Sequence, residues 1–161
     1  MKLASTYTPG DYEPTIYAMW EESGAFKPSG KGEPYSMVMP PPNANANLHT
    51  GHALDMNLKD IIARWRRMQG RDVAFIPGAD HAGFETWVVF ERHLQAEGKS
   101  RFDYNREELY SQVWDFVEAR RGDMELQLRA LGTSCSWDDL VFTLDKKVIN
   151  TVYDTFKKMW D

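Results

Sequence analysis

One stretch of the sequence decides the fold: residues 35–52, which read YSMVMPPPNANANLHTGH. Residues 35–39 are apolar enough to form a buried strand, whereas Pro40 to Pro42 lack the backbone N–H donors that sheet pairing needs. A long amphipathic pattern, typical of a helix, begins near His49 to Ala53. A strand, a tight loop and a helix N-terminus in this order expose backbone N–H groups that can bind an anion.

The residues that follow predict a βαβ unit. Apolar residues recur at helical spacing and give the helix one apolar face, formed by Leu54, Leu58, Ile61, Ile62, Trp65 and Met68. Gly70 ends this helix, and Val73 to Ile76 form a short apolar strand that Pro77 stops. Strand, helix and strand in this order predict two parallel strands joined by a right-handed crossover, and therefore an α/β fold with flanking helices.

Further helices are predicted on both sides of this unit. They cover residues 12–24, Gly83 to Gly98, a segment that Asn105 caps, and a last segment that Asp145 caps. Glu108 lies three residues after Asn105 and supports that cap, whereas Gly122 is expected to break or kink the helix. Strands that alternate with helices in this way are typical of layered α/β domains.

Composition limits the classes of function. The 161 residues suffice for one domain, and 42% hydrophobic and 27% charged residues are typical of a soluble globular protein. No stretch has the length of a membrane span, and the N-terminus lacks a signal-peptide pattern. The single cysteine, Cys135, excludes an intramolecular disulfide or a thiolate-rich zinc site and favours a reducing compartment. A net charge of −5 argues against a broad nucleic-acid surface within these residues.

His49 and His52 form the first candidate site. On a helix, a spacing of three places both imidazoles on one face, and Gly51 between them lets a ligand approach the backbone. Beside a helix N-terminus, such a pair suits a polyphosphate, because imidazole N–H groups can follow the charge that develops during phosphoryl transfer. Two alternatives stay open: a pair of partly buried, satisfied histidines, or a zinc site that adds Asp80 and His81.

The second candidate site is the segment IPGADHAG, residues 76–83. It follows the second strand, and parallel α/β sheets bind ligands at the carboxyl ends of their strands. Asp80 could hold a ligand ammonium group there by a charge-assisted hydrogen bond. Alternatively, Asp80 caps the helix that follows. Because both candidate sites fall on the same sheet edge, we expect them to act together.

Four segments, in this order, resemble one family. Residues 48–52, LHTGH, resemble its His-Ile-Gly-His signature, and residues 36–43 resemble the strand and loop that lead into it. Residues 77–83, PGADHAG, are similar to a Pro-Gly-Thr-Asp-His-Ala-Gly segment. Residues 131–137, with 142–145, resemble the stretch before an editing insertion. The family is that of the class I aminoacyl-tRNA synthetases, in particular the valine enzymes, and the resemblance extends over nearly the whole chain.

The resemblance implies a Rossmann-type nucleotide-binding fold, of which this chain forms the first half. It divides the chain into residues 1–34, a helix and loop leading into the catalytic domain, and residues 35–161, which end before the editing insertion. It also implies ATP-dependent activation of valine to valyl-adenylate and transfer to tRNA(Val), with Mg²⁺ accompanying ATP. The full-length enzyme is expected to be a cytoplasmic monomer without membrane contact, which meets tRNA mostly through regions outside this chain.

The resemblance also implies roles for individual residues. His49 and His52 are the expected catalytic residues, which contact ATP phosphate and stabilise the α-phosphate transition state. The expected ATP-binding residues are Asn43, His49, Gly51 and His52. The expected valine-binding residues are Pro41, Pro42 and Asp80. No residue is expected to bind a metal ion directly.

Some features of the family differ or are missing. Ala46 stands where the valine enzymes usually carry Gly, Ala79 where they carry Thr, and Phe84 to Trp87 replace Ile-Ala-Thr-Gln. The sequence contains no Lys-Met-Ser-Lys-Ser loop, so the chain alone is expected to have little activity. Two other functions stay open: a nucleotidyltransferase of small metabolites, and a non-catalytic binding module derived from a synthetase.

Overall fold

A computed structural model describes residues 5–161, so the first four residues of the predicted segment 1–34 lie outside the described residues. The helices and strands are α1 (Pro9–Glu22), β1 (Pro34–Val38), α2 (Thr50–Met68), β2 (Asp72–Ile76), β3 (Gly78–Ala79), α3 (Gly83–Ala96), α4 (Arg106–Ala130), β4 (Val141–Phe142) and α5 (Lys146–Trp160). Short 3-10 helices at Arg101–Asp103 and Trp137–Asp139 precede α4 and β4. β1, α2 and β2 are the predicted strand, helix and strand, whereas the two-residue strands β3 and β4 were not predicted.

The strands run parallel. β1 pairs with β2 along its whole length, and β3 pairs with β4. Pro40 to Pro42 interrupt the pairing, as predicted, but it resumes beyond them in a parallel bridge between Asn43 and Asp80. The predicted α/β fold with parallel strands and flanking helices is therefore confirmed, including the unit β1–α2–β2.

The core lies between the strands, α2 and α4. Its fully buried side chains include Met39 after β1, Met56 of α2, Phe75 of β2, and Met124 and Leu128 of α4. Burial of an apolar side chain of this size contributes roughly 1.5–3 kcal/mol relative to exposure. This packing fixes α2 against the strands and so determines where the N-terminus of α2 lies.

α2 presents its apolar face to solvent. The residues that it buries are Met56, Asp60 and Ala63, which also recur at helical spacing. The predicted apolar face begins at Leu54, two residues earlier, which is roughly 200° away around the helix. All six residues of that face are exposed, Met68 by 86%. The face that packs on the core is therefore not the one that hydrophobic spacing indicates.

Asp60 anchors the buried face of α2. One of its carboxylate oxygens accepts hydrogen bonds from the backbone N–H and the hydroxyl of Ser134, at 2.8 and 2.5 Å. The other oxygen pairs with Nε of Arg64 at 2.6 Å. Arg67, further along the helix, donates to the carbonyls of Ser134 at 2.7 Å and of Phe26 at 3.3 Å. A carboxylate can be buried here because each of its oxygens has a partner.

Two helix predictions need correction. α1 begins at Pro9, before the predicted start at residue 12, because proline suits the first turn of a helix. α4 runs unbroken through Gly122, since one glycine costs a helix only about 1 kcal/mol and the buried side chains of α4 hold it in place. Within the described residues, every helix is too short or too polar to cross a lipid bilayer.

The two predicted caps behave differently. Asn105 caps α4 through its side chain, which accepts from the Glu108 N–H at 2.9 Å, while Glu108 accepts from the Asn105 N–H at 3.1 Å. This reciprocal cap is confirmed. Asp145 is the N-cap residue of α5 but makes no side-chain cap. Its carboxylate accepts from the Phe142 N–H at 2.9 Å instead, and so closes the turn after β4.

Candidate functional site

The N-terminus of α2 is capped by its own histidines. His49 is the N-cap residue, and its Nδ1 accepts a hydrogen bond from the Gly51 N–H at 3.0 Å. In return, Nδ1 of His52 accepts from the His49 N–H at 3.2 Å. A ring nitrogen that accepts carries no proton, so the neutral form of each ring bears its proton on Nε2. No hydrogen bond within residues 5–161 uses either Nε2, which leaves both N–H groups available to a ligand.

The two rings lie face to face. Their centroids are 3.8 Å apart and their planes differ by 30°, as the spacing of three predicts. Gly51 makes this arrangement possible, because a Cβ at this position would lie 2.8 Å from Cε1 of His49. Its lack of a side chain therefore makes room for the ring of His49, a role that the sequence did not suggest.

The environment of His52 favours the neutral ring. Burial lowers the pKa of His52 below its ordinary value of 6.5, and the neighbouring His49 lowers it further, while Asp55 acts in the opposite direction. A protonated Nδ1 could not accept the His49 N–H, so the cap and the neutral ring support each other. The alternative of two satisfied histidines therefore holds for Nδ1 of each ring, which has a hydrogen-bond partner, but not, within residues 5–161, for Nε2.

A backbone bridge joins the loop before α2 to Asp80. The Asp80 N–H donates to the carbonyl of Pro42 at 2.8 Å, and the Ala44 N–H donates to the carbonyl of Asp80 at 2.7 Å. Pro42 is buried, whereas Pro41 and Asn43 are exposed beside it. The structure thus brings these three loop residues, all of them predicted to bind substrate, next to Asp80.

The Asp80 carboxylate is fixed by one oxygen. Its Oδ1 accepts from the Ala82 N–H at 3.2 Å and from the Thr143 hydroxyl at 3.0 Å. No hydrogen bond within residues 5–161 uses Oδ2, and the side chain is 35% exposed. The alternative that Asp80 caps α3 is not supported, because the N-cap residue is Ala82 and Asp80 reaches only the N–H of Ala82 itself, which precedes the helix. Ala82 has a φ of 57°, a left-handed conformation that is uncommon for non-glycine residues and is enriched at functional sites.

Sequence reasoning missed two residues that brace these sites. Gln127 of α4 accepts from the Leu48 N–H at 2.7 Å and donates to Oδ1 of Asn47 at 3.0 Å, so it holds the loop that leads into α2. Thr143, just after β4, bonds Asp80. These contacts join residues 79 and 63 positions apart, and no local pattern in a sequence signals contacts over such separations.

The groups proposed for a metal site do not converge. Nδ1 of His81 lies 2.7 Å from the Thr143 hydroxyl and 3.4 Å from the Asp80 carboxylate. In the described part of the chain, no three or more His, Cys, Asp or Glu side chains are placed to hold a metal ion, so the zinc alternative has no ligand set there. Burial raises the pKa of Cys135 to about 12, which keeps this thiol protonated and unsuited to metal binding.

Comparison with known proteins agrees with this architecture. The family model described as tRNA synthetases class I (I, L, M and V) matches residues 15–161. A valine--tRNA ligase of Chlamydia pneumoniae is 44% identical over 158 residues, which are 96% of this chain and 17% of the relative. One of Chlamydia trachomatis serovar A is 45% identical over 163 residues, which are 99% of this chain and 17% of the relative. The chain thus spans less than a fifth of the length of these relatives.

A solved structure has the same fold. The LeuRS of Agrobacterium radiobacter K84, crystallised as a ternary complex with tRNA and LeuAMS, superposes with a TM-score of 0.73 over 95% of this chain and 18% of that chain. At 19% identity this likeness concerns the fold, and it confirms the predicted Rossmann type. Since the family model covers nearly the whole chain and relatives above 40% identity do the same, this protein belongs to the class I tRNA synthetases.

Proposed function

We propose that this chain supplies the ATP- and amino-acid-binding half of a site that activates valine. A carboxylate oxygen of valine attacks the α-phosphorus of ATP, the bond from that phosphorus to pyrophosphate breaks, and valyl-adenylate forms. Transfer of the valyl group to tRNA(Val) follows and releases AMP. The valine--tRNA ligases that resemble this chain at 44 and 45% identity support valine as the amino acid.

One contact supports this function most: the backbone bridge between Asn43 and Asp80. It joins a carboxylate with one open oxygen to the loop that ends at the paired histidines. An acid that holds the ammonium group of valine, next to donors for phosphate, brings the valine carboxylate and the α-phosphate together. Positioning of this kind can contribute several powers of ten in rate.

On the phosphate side, His49 and His52 donate from Nε2 to the phosphate oxygens of ATP. Donors directed at an oxygen on which charge develops stabilise the transition state more than the ground state. Gly51 keeps the two rings in place, and Asn43 contributes a further polar contact to ATP. Mg²⁺ reaches the site with the ATP phosphates, because oxygen-rich phosphates are ligands that it prefers.

On the amino-acid side, Oδ2 of Asp80 accepts from the valine ammonium group, and Pro41 and Pro42 line the side-chain pocket.

The tRNA contacts lie mostly outside this chain, because a net charge of −5 does not suit a broad nucleic-acid surface. We also propose that residues 1–34 lead into the catalytic domain and that residues 35–161 form its first half. The enzyme works as a monomer in the cytoplasm.

The test is valine-dependent exchange between pyrophosphate and ATP. Because the chain spans less than a fifth of its relatives, the assay uses a chimera in which this chain replaces the matching residues of the Chlamydia pneumoniae relative. We expect exchange with valine. Exchange without any amino acid would instead favour a nucleotidyltransferase, and no exchange with any amino acid would favour a binding module; either result would overturn the proposal.

Two substitutions in the chimera separate the two sides of the site. His52→Ala should lower kcat for exchange by about a hundredfold, as the loss of one oxyanion donor does in other enzymes. Asp80→Asn should raise the KM for valine by about tenfold or more and leave the KM for ATP unchanged, because it removes a charged partner of the ammonium group. His93→Ala is the control: this half-exposed histidine near the end of α3 packs against Phe116 of α4, and its loss should change neither the kcat nor the KM values.

A further inference from the structure

We infer that Thr143 is a positioning residue for valine activation, which holds the Asp80 carboxylate so that Oδ2 meets the substrate ammonium group. This inference rests on the function proposed above. Thr143 lies just after β4, and its hydroxyl donates to Oδ1 of Asp80 at 3.0 Å. Its own backbone is tied to β3, since the Thr143 N–H donates to the carbonyl of Ala79 at 3.1 Å. The hydroxyl therefore acts from a fixed point on the parallel β3–β4 pair.

The Thr143 hydroxyl has three partners but only one proton. The hydroxyl oxygen accepts from the backbone N–H of His81 at 3.0 Å, and it lies 2.7 Å from the ring nitrogen Nδ1 of the same residue. Because a carboxylate is a stronger acceptor than a neutral imidazole, the hydroxyl proton goes to Asp80. Nδ1 of His81 must then be the donor in its contact with Thr143. This assigns the proton of neutral His81 to Nδ1, the opposite of the assignment for His49 and His52.

The result is a carboxylate with one orientation. Two donors, the Thr143 hydroxyl and the Ala82 N–H, converge on Oδ1 of Asp80, which stops the carboxylate from turning about its Cβ–Cγ bond. Oδ2 is left without a partner in the described part of the chain. A group held in its productive orientation before the substrate arrives lowers the entropy lost on binding. Without the hydroxyl, the carboxylate keeps its charge but loses this preorientation.

The test compares Thr143→Val with Thr143→Ser in the chimera. Valine has the shape of threonine without the hydroxyl, and serine restores the hydroxyl. We expect Thr143→Val to raise the KM for the amino acid about tenfold in pyrophosphate exchange, the effect of a lost hydrogen bond to a charged group, with the KM for ATP unchanged. Thr143→Ser should return the KM to within about threefold of the unaltered chimera.

Thr151→Val is the matched control. Thr151 lies on the exposed helix α5, and its hydroxyl donates only to the carbonyl of Lys147, at 2.9 Å. Its loss should therefore change neither kcat nor the KM for valine or ATP. An unchanged KM for valine in Thr143→Val, or a fall in kcat alone, would overturn this inference while the proposed function stands. Failure of the unaltered chimera to exchange with valine would overturn both.

A second measurement reads the proton positions directly. In the 161-residue chain labelled with ¹⁵N-histidine, at about pH 8 where imidazoles are neutral, the ring nitrogen shifts report which nitrogen is protonated. We expect the proton on Nδ1 for His81 and on Nε2 for His49 and His52. Thr143→Val should weaken the preference of His81 only, since its Nδ1 still lies 3.4 Å from the Asp80 carboxylate. A proton on Nε2 of His81 in the unaltered chain would mean that Nδ1 takes the Thr143 proton, and it would overturn the inference.

Discussion

The C-terminal half of α2 is held by partners far along the chain, whereas its first turn is held by bonds within three residues. Asp60 in that half bonds Ser134, 74 residues away, and is almost fully buried. At the first turn, His49 accepts from the Gly51 N–H and His52 accepts from the His49 N–H; His49 is exposed and His52 is partly exposed. One helix thus carries a buried structural anchor in its C-terminal half and, at its N-terminus, the histidine pair that we propose to bind ATP.

This division has a physical reason. A buried carboxylate is tolerated only with full hydrogen bonding, so the anchor cannot also bind a ligand. A ligand site needs hydrogen-bond donors that are held in place but have no partner within the protein. The cap of α2 holds each imidazole through Nδ1 and leaves Nε2 open to a ligand. Substitutions at the anchor should therefore change stability, and substitutions at the first turn should change activity.

The largest effect is expected at the anchor. Asp60→Ala should lower the free energy of unfolding by roughly 2–4 kcal/mol, because it leaves the buried N–H and hydroxyl of Ser134 without their acceptor, and each unsatisfied buried donor costs roughly 1–3 kcal/mol. Urea unfolding of the chain, followed by circular dichroism, measures this loss. Asp55→Ala is the control on the same helix, since Asp55 forms a half-exposed pair with Lys59 worth about 0–1 kcal/mol. Equal losses of unfolding free energy in the two variants would contradict the role of Asp60 as an anchor.

An intermediate effect is expected at the first turn. Gly51→Ala places a Cβ 2.8 Å from Cε1 of His49 and should displace that ring, which can lower the exchange rate of the chimera by about a hundredfold. Stability should change little by comparison with Asp60→Ala.

Gly122→Ala on α4 is the matched control for that substitution. An added Cβ there meets no atom within 4 Å, so it should stabilise the chain by about 0.5–1 kcal/mol and leave exchange unchanged. If Gly51→Ala exchanges as fast as the unaltered chimera, the ring position does not matter and the contrast between the two ends fails.

The sequence predicts those parts of this molecule that local patterns encode. Two parallel strands joined by a helix can be predicted from residues 35–76, because short apolar runs indicate the strands and prolines mark where they end. The stacking of His49 on His52 follows from their spacing of three. The Asn105 cap likewise depends on residues within one turn. In each case the chemistry that decides the structure lies within a few residues.

The face of α2 that packs on the core could not be predicted in this way. Hydrophobic spacing favours the face that begins at Leu54, but the buried face contains Asp60. Its burial depends on Ser134, which no local pattern connects to α2. The braces at Gln127 and Thr143 are missed for the same reason, since each contact forms only when distant elements meet.

The smallest effect is expected from pH, and it concerns the first turn of α2. Burial and His49 lower the pKa of His52 in the folded chain, so the stability that this ring contributes is present above its unfolded value of 6.5. That contribution is lost as pH falls through the lower folded pKa, because a protonated Nδ1 cannot accept the His49 N–H.

A proton NMR titration of the His52 ring in the chain measures this effect. We expect a midpoint below 6.5, and a stability difference between the unaltered chain and His52→Ala that shrinks as the solution is made more acidic through that midpoint. A His52 midpoint at or above 6.5 would mean that the ring is free to protonate, and that the cap does not hold the first turn in the way its geometry indicates.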